Sequence, residues 1–145
     1  MAIKNFHEIF TEVGNTKGRG EKIEVLKKYS SSSLKDVLGF TYDPGVVWML
    51  PETDPPFKKF DPEVDGEPLR LASETRKFYL FVKGYSPAQR DITQAKREQV
   101  FMDLLETLHP DEAQVLLDMK NRRLQYNGLT SKLVAEAFPN LAKNW

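Results

Sequence analysis

Histidine titrates nearest to neutral pH and is the commonest metal ligand, so the imidazoles are the first place to look for chemistry. The chain has two, His7 and His109. Neither lies in a His-Glu-x-x-His run or a His/Cys cluster, so no metal site is expected. His109 precedes Pro110 and reads as a cap or packing residue at a helical corner. Gly14-Asn15-Thr16-Lys17-Gly18-Arg19-Gly20-Glu21-Lys22 has the composition of a phosphate loop. No glycine in it is followed by Lys and then Ser or Thr, and no buried parallel strand precedes it, so it reads as a solvated turn between helices. The Gly-x-Ser-x-Gly elbow of serine hydrolases is absent. Asp54 with Asp61, or Asp111 with Glu112, would serve as metal ligands or an acid–base dyad only beside a positioned partner. First-turn acids favoured by a helix dipole account for the second pair. With no cysteine in the chain, thiol catalysis, disulfides and cysteine-held metal clusters are excluded. No catalytic residue and no cofactor is expected.

Two surfaces remain. Residues 119–145 carry Lys120, Arg122, Arg123, Lys132 and Lys143 against Glu136 alone, a local balance of +4. Lys120, Arg122 and Arg123 gather near a helix C-terminus, where the macrodipole alone favours cations. The functional alternative is a phosphate-contacting patch formed by Lys120, Arg122, Arg123 and Lys132, with Tyr126 to stack on a base. Lys83, Arg90, Lys96 and Arg97 extend it only if the fold puts them on the same side. The second surface is acidic. Residues 51–68 hold five of the nine prolines and six acids against Lys58 and Lys59, a balance of −4. Trp48, Phe57 and Phe60 give this stretch aromatic anchors, and the prolines lower its conformational freedom, the ingredients of a protein-binding hot spot. It contains no Pro-x-x-Pro ligand motif. The acidic loop and the basic tail are also able to attract each other, within one chain or between copies.

The elements that must carry these surfaces are helical. Phe6, Ile9, Phe10 and Val13 fall at the i, i+3, i+4, i+7 spacing of an amphipathic first helix. A second has Ile23, Leu26 and Tyr29 inward and Glu21, Lys22, Glu24, Lys27 and Lys28 outward. One of Ser30 to Ser33 caps a third, with Leu34, Val37 and Leu38 inside; capping is the better reading of this serine run than phosphorylation. Asp43-Pro44 reads as an N-cap and N1 proline opening a short helix through Val46, Val47 and Leu50. After the proline-rich loop, Leu69, Ala72, Arg76, Tyr79 and Leu80 line a helix of three to four turns closed by Gly84. A buried strand over residues 78–82 is the alternative. Ser86-Pro87-Ala88 is a loop or a fresh start. Residues 93–127 form a helical hairpin: one helix to Leu108 with Val100, Phe101, Leu104 and Leu105 inward, then a second begun by Pro110 with Ala113, Leu116, Leu117 and Lys120 inward. Thr130 caps a last helix to residue 138. The expected fold is all-α, one domain of about eight short helices spanning 1–145 with one long acidic loop. The longest apolar runs, five residues each, are far below the roughly 20 a membrane span needs. The charged N-terminus does not read as a secretion signal.

Several blocks resemble a known group. They are Leu104-Leu105-Glu106-Thr107-Leu108-His109-Pro110-Asp111-Glu112-Ala113 with Leu116-Leu117 and Met119-Lys120, and Gly128-Leu129-Thr130-Ser131-Lys132-Leu133-Val134-Ala135-Glu136-Ala137-Phe138-Pro139. Tyr79-Leu80-Phe81-Val82-Lys83-Gly84, and Trp48-Met49-Leu50-Pro51 with Pro55-Pro56, belong to the same pattern. Together they cover most of residues 20–139 and resemble a family of small, functionally unassigned proteins of tailed bacteriophages, including phages of cyanobacteria. Arg122-Arg123 departs from the more acidic, lysine-rich turn of that pattern. The resemblance brings no catalytic residues and implies the cytoplasm of a bacterial host as the working compartment. The resulting expectation is a non-enzymatic phage protein that binds a macromolecular partner, host or phage machinery, during infection. Its alternatives are a nucleic-acid-binding protein using the basic C-terminal surface, and a virion or assembly component. A protein partner is expected, nucleic acid is the alternative, and no membrane association is expected.

Overall fold

The computed structural model describes residues 4–83, 92–143 and 145. Helices form where the stripes and caps coincide. Asn5 accepts from the Glu8 N–H and Glu8 reaches back to the Asn5 N–H, a reciprocal pair that starts α1 (Phe6–Asn15). Its stripe of Phe6, Ile9, Phe10 and Val13 is buried as the spacing predicts. After α2 (Arg19–Lys28), Ser31 is the serine that caps α3 (Ser32–Tyr42), its hydroxyl accepting from the Leu34 N–H at 3.0 Å. Two four-residue helices follow, α4 (Pro62–Asp65) inside the proline-rich loop and α5 (Leu71–Glu74), which runs into a 3-10 helix over Thr75–Leu80. Thr93 caps α6 (Gln94–Thr107), and His109 caps α7 (Pro110–Lys120) by accepting from the Asp111 N–H at 3.2 Å. Thr130 caps α8 (Ser131–Ala137). The architecture is all-α, with eight α-helices among the described residues and only two isolated β-bridges.

The core surrounds α7. It packs against α1, α3 and α6, so the consecutive residues Val115 to Lys120 are all buried, a run that goes round the whole helix. A helix covered on several sides cannot show a clean amphipathic stripe, which is why only part of its inner set stood out in the sequence. Phe10, Phe78, Phe81 and Phe101 are the largest side chains sealed in this core. Burying each stabilises the fold by about 1.5–3 kcal/mol relative to exposure.

Three expectations are corrected. No helix forms after Asp43-Pro44. The Asp43 carboxylate accepts from the Gly45 N–H and the Asp43 carbonyl from the Val46 N–H, closing a turn instead. Beyond it the chain is extended: Met49 N–H donates to the Phe81 carbonyl and Lys83 N–H to the Val47 carbonyl, bridging Trp48 to Val82. The β-branched pair Val46-Val47 suits that conformation better than a helix. The single helix expected from Leu69 onward is divided. Leu69 is exposed and bridged to Leu108, Arg76 is exposed, and the buried positions are Leu71, Glu74, Phe78, Phe81 and Val82. At three residues per turn, Phe78 in the 3-10 helix and Phe81 at its end stand on the same side and are both buried. Lys22, expected outward, is buried. Gly84, Ser86-Pro87-Ala88 and Arg90 lie outside the described residues.

Candidate partner-binding surface

The cations of the C-terminal stretch have unequal fates. Lys120 is the last residue of α7, and its side chain is 2% exposed. Its ammonium donates to the carbonyls of Pro51 (3.0 Å) and Glu52 (3.3 Å) and to Asn121 Oδ1 (2.9 Å), and it pairs with Asp54 at 3.1 Å. The Asn121 amide and the Lys120 ammonium together hold the Asp54 carboxyl below its ordinary range. Acidic loop and basic stretch therefore do meet within one chain, through a lysine that serves as the loop's anchor. Arg122 has φ +67°, the left-handed position just past α7. The Arg123 N–H returns to the Asp118 carbonyl and the Arg122 N–H to that of Met119, a helix ending in which glycine is usual. The Arg122 guanidinium reaches the carbonyls of Phe40 (3.1 Å) and Asp43, supplying donors to the C-terminal end of α3. Lys22 does the same for α1, donating to the Val13 carbonyl at 2.7 Å. Arg97, also buried, donates to the Leu80 carbonyl.

Of the proposed phosphate-contacting set, Arg123 and Lys132 are exposed, whereas Lys120 and Arg122 are engaged with backbone carbonyls. Tyr126 is half-buried against Phe10, its hydroxyl 3.0 Å from His7 Nδ1, so its ring faces α1. Burial there raises its pKa. Lys83 and Lys96 are exposed, and Arg97 is not. Lys120, Arg122 and Arg97 thus spend donors on backbone carbonyls of the chain itself.

The aromatic anchors of the acidic segment fold back on the body. Trp48 stacks on Phe81 with ring planes 11° apart, and its indole N–H donates to the Phe40 carbonyl. Phe60 is buried and Phe57 half-buried against the core. What the segment displays is aliphatic. Among the described residues, the large hydrophobics classed as exposed are Val47 at 54%, Val64 at 76% and Leu69 at 43%. All three flank or lie in the stretch of −4 charge. Sequence reasoning missed Val47 and Val64; Val64, isolated between Pro62-Glu63 and Asp65-Gly66, was the available signal. Beside the segment lie two depressions separated by the Leu50-Pro51 ridge. One, about 220 Å³, is walled by Leu50, Pro55, Pro56 and Phe101 with Asp54 and Glu98 at its polar edge. The other, about 440 Å³, is bounded by Val47, Trp48 and Glu52 and closed by Arg122.

The two imidazoles also meet, at the junction of α1 and α7. His7 Nε2 and His109 Nδ1 lie 3.8 and 3.7 Å from Asp111 Oδ2. His109 Nδ1 already accepts from a backbone N–H, so it faces that carboxylate without donating to it. Below them Glu112 is buried with Oε2 unpartnered, and burial pushes its carboxyl up to about 7 against the pull of the His7 and Phe6 backbone N–H groups. Among the described residues no group of three or more His, Cys, Asp or Glu is arranged to hold a metal ion.

Fold and surface define an all-α domain whose most distinctive exterior is an acidic segment studded with exposed aliphatic side chains. The chain belongs to a family of unknown function (DUF6433), matched over residues 9–126. That span holds the segment and the whole α6–α7 hairpin, and ends before residues 128–139. No curated protein and no solved structure matches the chain. Among the described residues no helix is long and apolar enough to cross a membrane.

Proposed function

We propose that this is a non-enzymatic bacteriophage protein that binds a protein of host or phage machinery during infection, in the bacterial cytoplasm, through residues 47–69. The observation that carries this reading is the coincidence of Val47, Val64 and Leu69 with the acidic segment. Exposed aliphatic groups rimmed by charge mark an interaction surface more often than scattered single ones do. The segment is also held ready: Lys120 pins its start, Phe60 its middle, and the Leu69 N–H donates to the Thr107 carbonyl at its end. Ordering it before binding reduces the entropy lost on association. The phage origin rests on the sequence blocks given above.

The test is recovery of a partner from infected-cell lysate by the tagged chain and by a Val47→Asp, Val64→Asp double variant. Both positions are solvent-exposed, so the variant is expected to melt within about 1 kcal/mol of the parent. A partner retained by the parent and lost by the variant supports the reading. No partner, with a control bait succeeding in the same lysate, overturns it, as does equal retention by both.

A further inference from the structure

Resting on that reading, we infer that the partner contributes a basic polypeptide segment with an apolar side chain, which seats beside the Leu50-Pro51 ridge. The 220 Å³ depression is smaller than the about 300–1,000 Å³ of small-molecule sites. Its walls are Leu50, Pro55, Pro56 and the edge of Phe101, so one aliphatic or aromatic side chain fits it and a phosphorylated or highly polar metabolite does not. The depression on the other flank shares Leu50 and Pro51, so a chain crossing the ridge meets apolar surface on both sides.

Charge fixes the rest of the occupant's chemistry. The cation in the wall of both depressions, Lys120, has its ammonium saturated by loop carbonyls, Asn121 and Asp54, and presents no free positive charge. Glu52 and Glu98 make no ion pair among the described residues, and one stands at the edge of each depression. Asp61, Glu63, Asp65 and Glu67 continue the negative field along the exposed segment, against Lys58 and Lys59 alone. Such a surface repels nucleic acid and acidic peptides and steers a cationic one. A second copy of this chain is a poorer occupant, because Lys120 and Arg122 already spend donors on its own backbone carbonyls and only Arg123, Lys132 and Lys143 of its basic stretch stay exposed.

Panning a display library of random dodecapeptides on the immobilised full-length protein tests this. Enriched peptides are then synthesised and their binding measured by fluorescence anisotropy. Expected are peptides of net positive charge with an apolar residue at a fixed place. Their affinity should fall about tenfold between 50 and 300 mM salt, and about tenfold or more in a Glu52→Lys, Glu98→Lys variant, since complementary charge is screened by salt and repelled by reversal. A Glu52→Gln, Glu98→Gln variant should bind with an intermediate loss, and circular dichroism melting checks that both variants fold. Failure to enrich any peptide, enrichment of neutral or acidic ones, or indifference to both variants overturns the inference. So does concentration-dependent self-association of the chain in sedimentation that charge reversal abolishes, which would assign the ridge to a second copy. If the lysate partner is lost on altering Val47 and Val64 but ignores salt and both glutamate variants, the proposed function stands and this inference alone falls.

Discussion

Arg122 shows how one side chain answers two backbone problems. Its left-handed φ carries about 1–2 kcal/mol of strain for a residue with a Cβ. Its guanidinium in return donates to the carbonyls of Phe40 and Asp43 at the end of α3, bonds of the charge-assisted kind worth about 1.5–3 kcal/mol each in favourable cases. Arg122→Ala keeps the strain and loses the donors, so urea unfolding should show a loss of about 2–3 kcal/mol. Arg122→Gly also loses the donors but relieves the strain, so it should be about 1 kcal/mol more stable than the alanine variant. A glycine variant no better than alanine would mean that the strain is not felt. Glu112 gives a pH prediction. Its folded pKa of about 7 lies above the ordinary 4.5, so between those values the folded chain holds a proton that the unfolded chain releases. Stability therefore falls as pH rises from about 4.5 to about 7, and the penalty is complete above that. Glu112→Gln keeps an acceptor for the α1 N–H groups without the buried charge. It should flatten this pH dependence and add up to about 3 kcal/mol at pH 8. An unchanged pH profile of melting would remove Glu112 as its source.

At the scale of elements, helix ends are closed from a distance. Lys22 leaves α2 to reach the Val13 carbonyl of α1 and the Asn127 carbonyl of the turn before α8. Gly128, at φ +75°, lets that turn pass close by; a Cβ added there would lie 2.8 Å from Lys22 Cε. The far end of a lysine usually moves aside cheaply, but this one is tied to two carbonyls. Gly128→Ala should thus cost about 2 kcal/mol, combining backbone strain with displacement of the ammonium. Hydrogen exchange should show the loss concentrated at the α1 C-terminus and the turn at residues 127–129. A loss below about 0.5 kcal/mol would mean that the lysine is dispensable. The 3-10 helix teaches a related lesson: residues 69–82 carry an apolar content that both helix and strand satisfy, and the choice falls to the neighbours. Phe78 and Phe81 enter the core, and Val82 pairs with Trp48, only because α3, α6 and the 47–49 segment are there.

Over the whole molecule, one core extends from α1 to α8, with the long loop anchored at Lys120, Phe60 and Leu69. Equilibrium urea unfolding should accordingly be a single transition, coincident by tryptophan fluorescence and far-ultraviolet circular dichroism. Two separated transitions would show that the loop or the α8 end unfolds independently. The zero net charge hides an internal asymmetry, −4 over residues 51–68 and +4 over residues 119–145. Folding treats its two halves differently. Lys120 and Arg122 are spent as loop and helix anchors while Arg123, Lys132 and Lys143 stay exposed, and the six acids of the acidic segment all remain exposed.

What the sequence determined by itself was local. The stripe Phe6, Ile9, Phe10, Val13, the caps Asn5, Ser31, Thr93, His109 and Thr130, and the breaks at prolines and Asn127-Gly128 define rods and their ends, because helix nucleation, capping and termination involve residues within about four positions of each other. The all-α class and the helical pair within residues 93–127 were legible for that reason. The direction in which Lys22, Lys120 and Arg122 turn was decided only by the tertiary structure. A cation on a helix looks solvent-bound from its neighbours in sequence, yet the carbonyls these three meet lie 9, 69 and 82 residues away. Val47 and Val64 were equally undecided, since apolar character alone does not say which residues the core has room to cover.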